Sequence, residues 1–341
     1  MRKIYALALL LSSQVLSAQD VHFSQYWATP MAMNPAMCGK FNGLMRFTFD
    51  YRNQWFTVPT INAKGTYQTY QASVDANVLP TERTNNRLGV GLMFFNDKAG
   101  DGALQTNTGM LSLAYHQSLS RYGHTHLSLG LQAGIVSKRI NMQSLIFETQ
   151  LSDFGWNQTL PNQEPYSGKQ ILYGDVTIGA LVTSRPKQRF GFNIGYSLHH
   201  LSQPRESFLG DPNNRLPMLH VVNGGCEFTR GYDNEWTIAP TFLFMMQANA
   251  TQFNIGLGLN YRTVNENIAV FGGAYVRGVD AAILNLGVDV FNTRMGVSYD
   301  INYSDFRAAS KAQGAIEVSV VYIFRKSNDK YIYYDNYCPI F

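Results

Sequence analysis

Apolar and polar residues alternate with a period of two in segment after segment, and no other feature restricts this chain as much. Met45, Phe47, Phe49 and Tyr51 fall on one face of an extended strand, and Arg46, Thr48, Asp50 and Arg52 on the other. The pattern returns at 88–94, 111–115, 127–135, 176–182, 190–198, 236–246, 253–261, 284–290, 295–303 and 316–324. It is weaker at 70–78, 219–228 and 268–276. About 14 strands result, each near the ~9–11 residues that a tilted bilayer-crossing strand needs.

Alternation alone fits two architectures. A soluble sandwich buries its apolar faces and wets its polar ones. A transmembrane barrel inverts this, turning apolar residues to lipid and small polar residues to the interior. Three observations favour the barrel. Aromatics recur at strand ends (Tyr51, Tyr115, Tyr261, Phe291, Tyr303 and Phe324), as interfacial girdles require. Charges are scarce on the apolar faces. Loop lengths are one-sided: 79–86, 119–125, 184–189, 229–234, 262–267 and residue 292 are short, whereas 53–66, 96–106, 139–169, 199–218 and 304–313 are long. Two further loops on the long side, 247–251 and 277–281, are short as well. The expected fold is all-β, a transmembrane antiparallel β-barrel of about 14 strands over 44–324. Its short turns and both ends would be periplasmic.

Composition agrees. Charged residues are 15% of the 341, against about 25% in soluble proteins, and aromatics are 13%. Disorder needs the opposite balance. Arg2 and Lys3 precede an apolar run from Ile4 to Leu11, and small Ser17 and Ala18 follow Val15 and Leu16, which reads as a signal peptide over 1–18 cleaved after Ala18. Of 27 basic residues, 25 then remain against 23 acidic ones, a net charge of +2 that gives no reason to expect a nucleic-acid partner. Cys38, Cys226 and Cys338 are too far apart for a disulfide scaffold and lack the spacing of zinc ligands. No cofactor is expected.

Between the leader and the first strand, residues 19–43 include Phe23-Ser24-Gln25-Tyr26 and Asn34-Pro35-Ala36-Met37-Cys38-Gly39. The first strand ends in Tyr51-Arg52-Asn53-Gln54-Trp55. Taken together and in this order, the three motifs resemble the PorP/SprF family, and the length, leader and strand pattern fit along the whole chain. The resemblance implies a non-enzymatic outer-membrane component of the type IX secretion system. Its partners would be periplasmic and outer-membrane secretion components, a secreted adhesin or other cargo protein, and outer-membrane lipid. It marks Phe23, Ser24, Gln25, Asn34, Pro35, Gly39, Arg52, Asn53, Gln54 and Trp55 as candidate binding positions.

The residues themselves say more. Phe23, Tyr26, Trp27, Met31, Met33 and Met37 are too apolar to stay solvated, Asn34-Pro35 marks a turn, and Gly39 permits a positive φ. A barrel of 14 strands encloses more space than side chains alone fill. The segment is therefore expected to act as a plug in the lumen, paired with Arg46, Asp50 and Arg52, or as a flap outside it. The Tyr-rich tail 325–341 is either a disordered extension or a docking strand. In the long loops Phe147, Phe154, Trp156 and Tyr166 are candidate partner contacts, unless those loops pack on themselves. Histidines cluster only at His124-x-His126 and His199-His200, and no Gly-x-Ser-x-Gly elbow is present, so catalysis is not expected. The alternative is a channel for small hydrophobic molecules similar to the FadL family, which has a barrel of like size and an N-terminal hatch. The polar inward faces disfavour it.

Overall fold

In a computed structural model, residues 22–58, 67–78, 86–100, 104–120, 124–141, 145, 147–152, 155–157, 159–161, 170–187, 189–208, 211–230, 236–263, 267–305 and 307–325 are described. The leader and most of the tail lie outside these residues, as do Phe154 and Tyr166. The strands are β1 (Met45–Gln54), β2 (Tyr67–Asn77), β3 (Arg87–Ala99), β4 (Leu104–Ser118) and β5 (Thr125–Arg139). A small pair, β6 (Leu151–Ser152) and β7 (Gly155–Trp156), is followed by β8 (Gln170–Lys187), β9 (Phe190–His199), β10 (Leu219–Arg230) and β11 (Trp236–Gln247). Then come β12 (Ala250–Arg262), β13 (Ile268–Arg277), β14 (Ala281–Val290), β15 (Thr293–Asn302) and β16 (Gln313–Phe324).

Fourteen of these strands close an antiparallel barrel in which chain neighbours are also spatial neighbours; only β6 and β7 stand apart, as their own two-stranded sheet. Closure is made by β1 on β16, in register from Met45 opposite Phe324 to Gln54 opposite Ala315. Every segment read as a strand from its alternation is a strand.

Outward and inward faces carry the two halves of the pattern. Leu92 and Leu286 are 58% and 72% exposed, while Thr48, Gln71, Ser112, Gln132 and Glu317 on the other face are buried. Such a wall is stable only with hydrocarbon outside. Aromatic pairs mark both rims. Trp55 packs on Tyr67 at 4.8 Å between ring centroids, at the end carrying the long loops. Trp236 on Tyr261 (4.5 Å) and Tyr322 on Phe324 (4.6 Å) lie at the opposite end, where β1 begins and β16 finishes. We term these the loop end and the entry end.

One expectation needs correction. The span 96–106 is not a long loop, because β3 runs to Ala99 and β4 starts at Leu104. Polar cross-strand bonds continue the sheet there, Asn96 Nδ2 of β3 donating to Asn107 Oδ1 of β4 (2.6 Å) and Thr69 Oγ1 of β2 to Asp97 Oδ1 of β3 (2.7 Å). Hydrophobic periodicity cannot see strand built from such residues. β8 is likewise 18 residues long, beyond the ~9–11 that cross the apolar band. Together with β4 and β5 it raises a lip at the loop end.

Residues 22–43 run inside this wall. They form three short turns, Tyr26–Ala28, Pro30–Met33 and Pro35–Met37. Prolines begin two of them, where a missing N–H costs nothing. The Asn34 side chain accepts the Ala36 N–H (2.9 Å) and so starts the last turn. Gly39 takes φ +70°, and its backbone passes so close to Gly89 of β3 that a Cβ on either would strike the other strand of chain.

Candidate functional site

The interior segment is fastened to the barrel at three levels. At the loop end, Ser24 sits among four charged side chains from β1, β13, β15 and β16. Its Oγ donates to Asp300 Oδ1 (2.7 Å) and accepts from Arg52 and Arg277. Its N–H donates to Glu317 Oε2 (2.8 Å), and the N–H of Gln25 donates to Glu317 Oε1 (2.6 Å). Arg52 reaches Asp300 at 2.9 Å and Glu317 at 3.0 Å, and Arg277 reaches Asp300 at 2.8 Å. Two cations and two anions thus balance, and all four side chains are almost wholly buried. Buried charges persist only when paired and fully hydrogen-bonded, and here the segment supplies part of the bonding. A register shift in the β15–β16 ladder at Asp300/Ile301 lies beside the cluster, a device that re-aims a side chain.

Halfway along, Asn34 Nδ2 donates to the Ala180 carbonyl of β8 (3.1 Å), and Tyr26 Oη bonds Thr241 Oγ1 of β11 (2.6 Å). Ser197 Oγ donates to the Met33 carbonyl (2.8 Å). Burial drives the Tyr26 phenol well above its usual ionisation range, despite the opposing bond from Thr241. At the entry end, Gly39 N–H donates to Asp75 Oδ2 (2.6 Å), which also pairs with Arg46 (2.7 Å), and Arg46 Nη2 donates to the Met37 carbonyl (3.1 Å). His116 Nε2 bonds the Cys38 carbonyl (2.8 Å). Burial, reinforced by the Asp75 carboxylate, pushes the Cys38 thiol up.

The structure draws Phe23, Ser24, Gln25, Asn34, Pro35, Gly39 and Arg52 into one interior assembly. Asn53 faces outward in the alternation of β1, and Gln54 and Trp55 stand at the loop-end rim, with Trp55 in the aromatic band. Of the three inward residues expected to pair with the segment, Arg46 and Arg52 do. Asp50 does not: it is fully buried, and neither of its oxygens has a hydrogen-bond partner among the described residues. Sequence reasoning missed Asp75, Arg277, Asp300 and Glu317. The available signal was their place, since each charge sits on the polar face of a strand whose other face is lipid-facing. A charge enclosed in that way needs a partner.

In the 139–169 loop Trp156 is 59% exposed, and Phe147 N–H donates to Gln150 Oε1 (3.1 Å) in the turn beside it. The 199–218 loop is tied to β5 by the Lys138–Glu206 pair and to itself by a bridge between Arg205 and Arg215. Among the described residues, no three His, Cys, Asp or Glu side chains gather to hold a metal ion.

A family model described as type IX secretion system membrane protein PorP/SprF matches residues 15–322. The chain belongs to the PorP/SprF family. It is therefore a barrel of the membrane part of that secretion system, and contact with other secretion components follows from membership. No curated protein matches the sequence. Solved structures resemble this PorP/SprF chain in fold. The toluene transporter TbuX of Ralstonia pickettii superposes with a TM-score of 0.51 at 11% identity, covering 87% of this chain and 94% of its own. A FadL homologue of Pseudomonas aeruginosa gives 0.52 at 9% identity over 86% and 93%. The TodX monoaromatic hydrocarbon channel, as a deltaS2 mutant, gives 0.53 at 10% identity over 86% and 93%.

Proposed function

We propose that this barrel sits in the outer membrane, entry end toward the periplasm, and supports export or surface attachment of large secreted proteins, adhesins among them. It does so through protein contacts and performs no catalysis. What supports this reading is the segment lodged inside the barrel. Residues 22–43 are bonded from one end of the lumen to the other, and the Ser24 cluster is the kind of buried, mutually satisfied network that does not yield to a passing solute. In this reading the segment acts as a plug, and the rims are where a protein partner meets the barrel. At the loop end, exposed Trp156 on its small β6–β7 sheet suits a protein partner.

Affinity purification from native membranes followed by mass spectrometry tests this reading. Recovery of a secreted adhesin or cargo together with periplasmic secretion components supports it. Recovery of the barrel with lipid alone, from cells actively secreting, refutes it.

A second reading is a channel for small hydrophobic molecules. An outward-facing apolar depression favours it, floored by Ala72, Gly109 and Ala133 and rimmed by Leu92, Phe94 and Ile135. Against it, most inward residues of the strands are polar, and the segment occupies much of the interior. Saturable binding of a long-chain fatty acid by the purified protein would favour the channel.

A further inference from the structure

The interior segment leaves one part of the lumen open. Its later half bonds to β2, β4, β8 and β10, and a cavity of about 270 Å³ remains at the entry end, lined mainly by β11–β16 with Arg46 of β1 and Glu227 of β10. At roughly 30 Å³ per water, that is space for about nine waters, or for one or two side chains. Trp27, Phe271, Tyr275 and Phe291 supply its aromatic surface. Arg294 lies over Phe271 at 4.5 Å and over Trp27 at 5.4 Å, held by Asp289 at 2.7 Å. Trp27 is nine-tenths buried, yet its indole Nε1 has no hydrogen-bond partner among the described residues. An indole N–H normally finds an acceptor when buried. Four arginines line the cavity (Arg46, Arg262, Arg294, Arg325) against two acids (Glu227, Asp289), so its formal charge is +2.

Arg325, in the wall of this cavity, is also the residue from which the chain continues. Sixteen residues follow it in the sequence, and 331–337 read Tyr-Ile-Tyr-Tyr-Asp-Asn-Tyr, with four aromatics, one acid and no cation. We propose that this stretch folds back and docks in the cavity. A tyrosine ring would stack between the aromatic walls, a tyrosine or asparagine oxygen would accept from Trp27 Nε1, and Asp335 would face the arginine rim. The five residues between Arg325 and Tyr331 reach at most roughly 20 Å, at ~3.3–3.6 Å per residue, enough to turn back into the cavity mouth. A tether this short gives an effective concentration of the order of millimolar, so even a weak site would be filled. The tail would then hold Trp27, and with it the interior segment, from the entry end.

The full-length protein tests this directly. A photocrosslinking phenylalanine analogue replaces Tyr334, and the irradiated, purified protein is digested and mapped. Docking predicts intramolecular links to peptides carrying Trp27, Phe271 or Phe291. Links only to detergent, to other faces of the barrel or to a second protein overturn it. A labelled peptide of residues 326–341 provides an independent arm. It should bind a barrel ended at Arg325, whose strands are all intact, at least tenfold more tightly than the full-length chain, in which the site is occupied. Equal binding to both, or binding to neither, contradicts docking.

Discussion

Replacing Glu317 with alanine should loosen the interior segment by an amount the structure defines. Its carboxylate accepts the N–H groups of Ser24 (2.8 Å) and Gln25 (2.6 Å) and pairs with Arg52 (3.0 Å). Hydrogen bonds to a charged group contribute roughly 1.5–3 kcal/mol each, so the two N–H donors alone give about 3–6 kcal/mol. Arg52 keeps Asp300, and fully buried Asp50 stands two residues along the same strand, so the arginine is not left without a counter-charge. Neither acid can replace the acceptor for the two N–H groups. At about 1.4 kcal/mol per decade, the population of released segment should rise by roughly 10²–10⁴. Cys38 reports it, being fully buried in the segment, so that a thiol reagent reaches it only on release. In a chain with Cys226 and Cys338 changed to serine, the maleimide reaction of Cys38 should accelerate by that factor in Glu317→Ala. Glu317→Gln, which keeps one acceptor, should fall between. If Cys38 reacts within threefold of the parent rate while the barrel keeps its heat-modifiable mobility on gels, the anchoring argument is wrong.

Three further outcomes follow from the same geometry. A Cβ on Gly130 of β5 would strike the backbone of Pro35 and Ala36, which cannot rotate away. Gly130→Val should therefore cost about 1–3 kcal/mol in segment docking and raise Cys38 reactivity roughly five- to hundredfold; an unchanged rate refutes the close approach. Leu129, on the opposite face of the same strand and 56% exposed, looks onto lipid, so Leu129→Arg should destabilise the barrel by about 2–4 kcal/mol in urea titrations in lipid, and no loss would place that face elsewhere. The raised Cys38 ionisation gives a pH test. The docked thiol stays neutral, whereas a released one ionises near pH ~8.5, so docking is at full strength below that pH and weakens by about tenfold per unit as pH rises above it toward the raised value of the docked thiol. The Cys38 reaction should climb about tenfold between pH 9 and 10, while a free reference thiol has levelled off; a plateau shared by both contradicts the burial.

The strands were legible because the side chains facing lipid are mostly apolar and those facing inward mostly polar or small, a two-residue signal strong enough to survive in Ile268–Arg277 and Leu219–Arg230, although Leu181, Val221 and Leu243 also face inward, against the segment. Where β3 and β4 rise past the bilayer, polar residues such as Asn96, Asp97 and Lys98 opposite Asn107, Thr106 and Gln105 occupy both faces, and the signal vanishes although the ladder continues. Of the interior assembly, the Asn34-Pro35 turn and Gly39 announced themselves through backbone chemistry. Ser24 and Gln25 stood out only as part of a motif. Their acceptor Glu317 lies about 290 residues away, and a pairing of that span is set by barrel closure of β1 on β16, which no local pattern encodes.

The central claim is that residues 22–43 close the bore, and electrical recording in planar bilayers tests it most directly. The account predicts no steady ohmic current from the full-length barrel and large, stable steps from a barrel lacking residues 22–41. Equal conductance from the two would contradict it.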